Sequence, residues 1–140
     1  MLEIVSKIPF YKIFRRFGYP KIMPMNFTFR ITHKCNSKCK TCNIWKIRDY
    51  DEELKLREYE KIFYTIGKPF WVTFSGGEPF LRKDFTRIVK KICEICNPKI
   101  ITIPTNGSLY RTIPKFIKEI SSFSSKTKII LNISLDGVVK

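Results

Sequence analysis

From Asn26 onward, two kinds of hydrophobic pattern alternate along the chain. Four short segments are rich in Ile, Val, Phe and Thr and are bounded by Gly, Pro or Asn, which is typical of strands. These segments are residues 27–32, 70–74, 99–104 and 128–135. Between them, apolar residues recur at helical spacing. Because strands and helices that alternate in this way form right-handed βαβ units, we expect an α/β fold with a parallel sheet.

Three amphipathic helices are predicted between the strands, each with an apolar stripe that would face the sheet. A free cysteine behaves as a small hydrophobe, so we interpret Cys93 and Cys96 in the second helix as packing residues, with an auxiliary metal role as the less favoured alternative. The stripes comprise Tyr59, Ile62, Phe63 and Ile66; Phe85, Ile88, Val89, Ile92 and Cys96; and Ile113, Phe116, Ile117 and Ile120.

The loops that follow the four predicted strands hold the candidate ligand-binding residues. In parallel α/β sheets, ligand sites lie beyond the carboxyl ends of the strands. Residues 33–42, 75–79, 105–108 and 134–137 occupy these positions. We therefore expect one site where the four loops meet.

The charge of the chain is concentrated at its N-terminus. The net charge is +15, and residues 1–50 hold 11 Lys and Arg against two Asp and Glu. We predict a basic N-terminal extension over residues 1–25 and an α/β domain over residues 26–140. A basic extension with aromatic residues can bind RNA or an anionic membrane surface. We favour a solvated packing arm instead, because Pro9 argues against one long amphipathic helix.

The sequence contains no predicted membrane-spanning segment and no secretory signal. A bilayer-spanning helix needs about 20 mostly apolar residues, whereas the longest stretch without a formal charge, residues 100–110, contains Pro, Thr, Asn, Gly and Ser. Charged residues interrupt the apolar N-terminus throughout, unlike the separated regions of a signal peptide. We therefore expect a cytoplasmic protein.

Three of the five cysteines lie within eight residues after the first strand. Cys35, Cys39 and Cys42 are too crowded for a disulfide framework, and a reducing compartment would keep them as thiols. A loop with three and then two residues between its cysteines can ligate three irons of a cubane iron–sulfur cluster and leave the fourth iron open. Nearby lysines would offset the negative charge of thiolates and cluster sulfides.

A structural zinc site is the alternative interpretation of these cysteines. His33, Cys93 or Cys96 would then supply the fourth ligand. Zinc ribbons usually keep their cysteine pairs about 15 to 20 residues apart, whereas 50 residues separate Cys42 from Cys93. The spacing therefore favours the cluster.

Short motifs follow the other three strands: Gly-Gly-Glu-Pro at 76–79, Thr-Asn-Gly at 105–107 and Ser-Leu-Asp-Gly at 134–137. In this order after the cysteine loop, they resemble the radical S-adenosylmethionine (radical SAM) superfamily over roughly residues 26–137. The resemblance implies a [4Fe-4S] cluster on Cys35, Cys39 and Cys42, with S-adenosylmethionine bound to the open iron. It also implies reductive cleavage to a 5′-deoxyadenosyl radical that abstracts hydrogen from an unidentified substrate, with a reductant such as ferredoxin or flavodoxin.

The resemblance also assigns roles in binding S-adenosylmethionine. The backbone of the two glycines would approach the methionyl amine, the glutamate would stabilise the positive end of the ligand, and the proline would fix the turn. Asn106 would contact the sugar or substrate, and Ser134 and Asp136 would bind ribose hydroxyls. The predicted cofactor-binding residues are Gly76, Gly77, Glu78, Pro79, Asn106, Ser134 and Asp136. Members often carry an aromatic residue at the position of Thr41, and we expect Ile44 or Trp45 to replace its adenine contact.

The core of the superfamily resembles a six-stranded partial βα barrel. We therefore expect a truncated, partial TIM-type barrel of about four strands and three helices. Such an incomplete domain has alternatives to independent catalysis: an inactive fragment that binds only the cluster, or one half of a split enzyme whose second polypeptide supplies the remaining strands. A basic RNA-binding module is a further, less favoured alternative.

Overall fold

The chain folds as one open sheet of four parallel strands with helices packed against it. A computed structural model describes residues 2–48 and 53–135. In chain order, the sheet contains β1 (Asn26–Thr32), β2 (Trp71–Gly76), β3 (Ile100–Thr105) and β4 (Lys128–Ile133). Helix α1 (Leu2–Phe17) precedes β1, and α2 (Leu56–Ile66), α3 (Phe85–Ile95) and α4 (Ile113–Phe123) connect the strands. The predicted parallel α/β fold is confirmed.

Each strand pairs with the one before it, which brings their carboxyl ends to a single edge. Strand β1 pairs with β2 from Asn26↔Trp71 onward, and the register shifts before the last pair, Thr32↔Gly76. Strand β2 therefore continues two residues beyond its predicted end. All three predicted helices are present.

The apolar stripes pack as their spacing predicts. Tyr59 and Phe63 of α2 are buried, and the ring centroids of Phe29 and Phe63 lie 5.5 Å apart in an edge-to-face arrangement. Phe74 of β2 meets Phe85 of α3 in the same manner at 5.7 Å. Edge-to-face pairs of this kind add about 0.5–1.5 kcal/mol to the free energy of apolar burial.

Helix α1 differs from the prediction. It continues without interruption through Pro9, so the expectation that Pro9 prevents one long helix is wrong. Proline removes one backbone donor and leaves the carbonyl four residues earlier without its helical partner. That carbonyl belongs to Val5, whose exposed position allows water to bind it. Among the described helices, none has the length and apolarity that crossing a bilayer requires.

Candidate functional site

A cavity of about 240 Å³ lies at the carboxyl ends of the strands, where the sequence predicts the site. It is lined by all three predicted cluster cysteines and by residues that follow β2, β3 and β4. Pro79 is buried in the turn beside it, and Asp136 lies outside the described residues. The predicted residues that line the cavity are Cys35, Cys39, Cys42, Gly76, Gly77, Glu78, Asn106 and Ser134.

The three cavity thiols fit an iron–sulfur cluster as a donor set. None of the three forms a disulfide in the described part of the chain; Cys42 is exposed, and Cys35 and Cys39 are half-buried. Within the described ranges, no three His, Cys, Asp or Glu side chains lie close enough to hold a single metal ion. A cubane cluster needs a different arrangement, because its thiolates bind separate irons. The three thiols of the cavity are the donor type that such a cluster uses.

The second cysteine pair is placed away from this cavity. Cys96 is buried at the end of α3, and its Sγ lies 3.3 Å from the carbonyl oxygen of Phe63. Cys93 is half-buried, with its Sγ 4.0 Å from Thr127 Oγ1. Burial raises the pKa of each thiol to about 11. Both side chains therefore occupy packing positions.

The cysteine loop contains a short 3₁₀ turn, Ile44–Lys46, immediately after the third cysteine. Ile44 and Thr41 both line the cavity. Trp45 instead donates from Nε1 to the carbonyl oxygen of Cys39 at 3.3 Å. Of the two residues expected to replace an aromatic adenine contact, Ile44 is thus the one that reaches the cavity.

Gly76 and Gly77 allow the end of β2 to approach the start of the cysteine loop. A Cβ on Gly76 would lie less than 3.0 Å from the carbonyl oxygen of Thr32, and one on Gly77 would lie equally close to that of Lys34. The N–H groups of Gly77 and Glu78 donate to these two oxygens at 2.8 Å each. The glycines are therefore required by contact with the neighbouring backbone, a reason that the sequence pattern does not reveal.

The Glu78 side chain connects the β2 and β3 loops. It is 1% exposed, and its carboxylate accepts hydrogen bonds from Thr105 Oγ1 at 2.8 Å and from the N–H of Asn106 at 2.9 Å. A weaker bond comes from the N–H of Phe80 at 3.4 Å. Hydrogen bonds to an ionised carboxylate are about twice as strong as neutral ones. Glu78 thus fixes the position of the Asn106 backbone.

Three side chains form a polar clasp, Asn36, Asn106 and Ser108, between the cysteine loop and the β3 loop. Asn106 Nδ2 donates to Asn36 Oδ1 at 2.9 Å and lies 4.0 Å from Cys35 Sγ. Asn36 Nδ2 donates to Ser108 Oγ at 2.7 Å. Ser108 in turn donates from its N–H and Oγ to Asn106 Oδ1, at 2.9 and 2.6 Å. Sequence reasoning missed Asn36 and Ser108, and it assigned Asn106 without this contact.

The carboxylate of Glu53, in the segment before α2, accepts hydrogen bonds at the carboxyl end of β1. Glu53 Oε1 accepts from Thr32 Oγ1 at 2.7 Å and from the N–H of His33 at 2.8 Å. Arg82 lies 3.9 Å from the other oxygen of Glu53. The first residue of the cysteine loop is therefore held by a side chain from a distant segment.

Arg82 joins this contact to the turn before α3. Its guanidinium is 8% exposed and donates to the carbonyl oxygens of Ile31 and Leu54, and its Nε donates to Asp84 Oδ1 at 2.7 Å. Burial by itself would raise the pKa of Asp84, but the hydrogen bond and positive charge of Arg82 outweigh it and hold that pKa below its ordinary value. Glu53, Arg82 and Asp84 form a charged network beneath the cysteine loop.

Ser134 follows β4 and lines the same cavity. Its N–H donates to the carbonyl oxygen of Thr105 at 2.9 Å, which continues the β3–β4 pairing beyond the last strand residue. The structure therefore brings the Ser134 position to the cysteine loop and the β2 and β3 loops.

Comparison with known proteins identifies related sequences and folds. Residues 29–139 match the family model described as the Radical SAM superfamily. A GTP 3′,8-cyclase of Aquifex aeolicus is 32% identical over 64% of this chain and 30% of its own length. The antilisterial bacteriocin subtilosin biosynthesis protein AlbA of Bacillus subtilis is 29% identical over 83% of this chain and 25% of its own. The chain thus spans about a quarter to a third of these relatives.

A solved structure has a similar fold. The crystal structure of BtrN in an open conformation matches 81% of this chain and 58% of that chain, with a TM-score of 0.58 and 15% sequence identity. At this identity the likeness concerns the fold alone, and it agrees with an open, barrel-like α/β sheet.

Proposed function

Because the chain belongs to the radical SAM superfamily, we propose that Cys35, Cys39 and Cys42 bind a [4Fe-4S] cluster. The observation that carries the proposal is that all three thiols line one cavity at the carboxyl ends of the strands. Thiolates are the ligands that iron–sulfur clusters use. The carboxylate that lines the cavity, Glu78, is already engaged by the β3 loop.

S-adenosylmethionine is the second cofactor that we propose for this cavity. The methionyl amine needs acceptors, and the N–H groups of the turn already bind the cysteine loop. The carbonyl oxygens of Gly76 and Gly77 are therefore the acceptors that we assign to the amine. Glu78 would act from behind this turn by positioning the β3 loop, and buried Pro79 would fix the turn.

The sugar of the same cofactor is proposed to contact the loops after β3 and β4. Asn106 offers an amide at the cavity, and Ser134 offers a hydroxyl. Asp136 is retained as a ribose ligand on the basis of sequence alone. When bound and supplied with one electron, the cluster and S-adenosylmethionine would yield methionine and a 5′-deoxyadenosyl radical that abstracts hydrogen from substrate.

The electron donor that we propose is a ferredoxin or flavodoxin, and the cytoplasm is the proposed location because its reductants keep clustered thiols reduced. The substrate is not assigned. The relatives are named for a GTP cyclisation and for bacteriocin biosynthesis, so their similarity to this chain supports the shared cofactor chemistry and no particular substrate.

A second candidate is a cluster-binding unit that works together with further strands. Ile133 and Leu135 are 67% and 77% exposed at the end of β4, and the described residues provide no strand that pairs with its outer edge. Exposed strand edges are normally covered. The covering strand would come from the same polypeptide or from another one.

Anaerobic reconstitution tests the cluster. We expect about four irons and four sulfides per chain and a reducible EPR signal, because three thiolates hold one cubane. Replacing Cys35, Cys39 and Cys42 by Ala should abolish the signal, whereas Cys93→Ala is the matched control and should keep it. Stoichiometric zinc with no reducible cluster would contradict the proposal.

Two further measurements separate the candidates. Saturating S-adenosylmethionine should perturb the EPR signal of the reduced cluster, and an unchanged signal would count against binding. Formation of 5′-deoxyadenosine by this chain alone with reductant would exclude the second candidate, a cluster-binding unit that needs further strands. Formation only after a second polypeptide is added would instead support a split enzyme.

A further inference from the structure

Exposed apolar side chains are concentrated at one end of the molecule. In the described part of the chain, seven of the fourteen large apolar side chains that are exposed lie between residues 5 and 23. A concentration of this kind marks an interaction surface more often than scattered exposure does. Those on α1 are Val5, Ile8, Phe10, Ile13 and Phe17.

Helix α1 has an inner and an outer side. Tyr11 and Phe14 are half-buried, and the Tyr11 hydroxyl donates to the carbonyl oxygen of Met23. Phe10, Ile13 and Phe17 follow the i, i+3, i+7 spacing that places side chains on one stripe. They are 53%, 45% and 69% exposed. An aromatic and aliphatic stripe therefore faces solvent.

Basic side chains lie on the flank of α1 beside this stripe, and the guanidinium carbon of Arg16 lies 5.4 Å from the centroid of the Phe17 ring. Lys12, Arg15 and Arg16 are exposed and together line a shallow depression on α1. The sequence from Leu2 to Met25 contains five Lys and Arg but only one acidic residue, Glu3. The outer side of α1 thus combines apolar residues with an excess of positive charge.

The helix sits at the end of the sheet opposite to the cavity. A depression of about 320 Å³ separates α1 from the segments that lead into β1 and β2, with Tyr11, Met25 and Phe70 among its lining residues. These segments are the amino ends of the strands, whereas the cysteines lie at the carboxyl ends. A large partner could therefore bind the outer side of α1 without covering the cavity.

We propose that the outer side of α1 docks on a membrane surface that contains anionic lipid. Phe10, Ile13 and Phe17 would enter the boundary between headgroups and acyl chains, and the neighbouring basic residues would contact lipid phosphates. A second copy of the chain is disfavoured because the two faces would bring like charges together. RNA would use the charges but leaves no role for the aliphatic side chain of Ile13.

Vesicle co-sedimentation of the whole chain tests the proposal. Binding is expected to phosphatidylcholine vesicles that contain a quarter phosphatidylglycerol, to weaken as salt is raised, and to be much lower with phosphatidylcholine alone. The variant K12Q/R15Q/R16Q should bind on the order of a hundredfold more weakly, because each basic residue near an anionic surface contributes about a fivefold increase in affinity. The variant F10S/F17S should lose binding by about tenfold or more, since its inserted apolar surface is removed.

Matched variants distinguish this face from general surface properties. Tyr64→Ser combined with Tyr110→Ser removes two aromatic rings of comparable exposure elsewhere. Lys115→Gln with Lys118→Gln and Lys126→Gln removes three basic side chains outside α1. Both should bind as the parent chain does, with unchanged circular dichroism. Equal loss in these controls would overturn the proposal.

The other possible occupants give different results. Binding to single-stranded RNA without binding to anionic vesicles would overturn the proposal and assign the face to nucleic acid. A dimer that becomes monomeric in F10S/F17S would assign it to self-association. Absence of vesicle binding by the parent chain would also overturn it. None of these outcomes depends on the cluster, so they stay separate from the test of the proposed function.

Discussion

The two ends of the sheet use their polar groups in opposite ways. At the carboxyl end, Glu78, Arg82 and Asn106 turn inward and bind the backbone or side chains of neighbouring loops. At the amino end, α1 directs Lys12 and Arg16 to solvent beside exposed apolar residues. The first arrangement fixes the shape of a small cavity, whereas the second presents a broad surface. One short chain thus separates the proposed cofactor cavity from the proposed docking face.

The largest effect should follow from a methyl group placed where the carboxyl-end loops meet. Gly76→Ala combines a φ of +125° with a Cβ against the carbonyl oxygen of Thr32, so we expect the free energy of unfolding to fall by about 3 kcal/mol or more. Gly18→Ala at the amino end has a φ of +70° and no atom within 4 Å of the new Cβ. We expect this substitution to lower the free energy of unfolding by about 1 kcal/mol. Urea denaturation of the protein without cofactors measures both, and equal losses would contradict the contrast.

A somewhat smaller effect is expected at Glu78. Glu78→Ala leaves the buried Thr105 hydroxyl and the half-buried Asn106 N–H without their acceptor, which should lower the free energy of unfolding by about 2–3 kcal/mol. Glu119→Ala on α4 removes an exposed carboxylate and should change stability by less than about 0.5 kcal/mol. If the two variants were equally stable, Glu78 would not connect the two loops.

The charged network predicts a specific pH dependence. The pKa of Asp84 is lowered in the folded chain, so this group stabilises the fold above its unfolded pKa, near 3.8, and loses that contribution as pH falls through the lower folded value. Asp84→Asn should therefore be less stable than the parent chain at pH 7, and the difference should shrink below about pH 4. Urea denaturation between pH 2.5 and 7 measures it. A difference that stays constant with pH would exclude the ion pair as its cause.

The smallest effect concerns the polar clasp. Asn36→Ala removes two side-chain hydrogen bonds between the cysteine loop and the β3 loop. These two exposed hydrogen bonds together should stabilise the closed loop by about 1 kcal/mol. We therefore expect roughly fivefold faster tryptic cleavage after Lys38 and Lys40 in the protein without cluster. Mass spectrometry of the fragments measures the rate.

Two controls test whether Asn36→Ala accelerates cleavage in the cysteine loop alone. Cleavage after Lys12, in α1, should be the same in both proteins because the clasp lies at the other end of the sheet. Asn43→Ala is the matched control, since Asn43 makes no capping hydrogen bond, and it should leave the loop as resistant as in the parent chain. Faster cleavage everywhere would indicate global destabilisation instead of release of the loop.

The fold and the place of the site follow from short-range pattern. Alternating strand and helix periodicities predict the parallel sheet, and the cysteine spacing after the first strand predicts which thiols line the cavity. These features depend on residues that are close in sequence. Pro9 is the local signal that failed, because solvent can satisfy the carbonyl that a proline leaves without a helical partner.

The contacts that shape the cavity could not be predicted in the same way. Asn36 and Ser108 are 72 residues apart in sequence, and Glu53 meets the end of β1 across about 20 residues, with Arg82 close by from the turn before α3. Such pairs depend on the register of the sheet, including its irregular last β1–β2 pair. The glycine pair is visible in the sequence, but the reason for it lies in the opposing backbone, which sequence alone does not show.

The sequential strand order has a consequence for biosynthesis. Each new strand can join the edge of the sheet that already exists, so the domain can assemble while it is translated. Asn36, however, meets its partner Asn106 only 70 residues later, which takes roughly 4 to 14 seconds at ordinary translation rates. During this interval the cysteine loop lacks its contact with the β3 loop, and the speed of the ribosome sets how long the nascent loop remains without that contact.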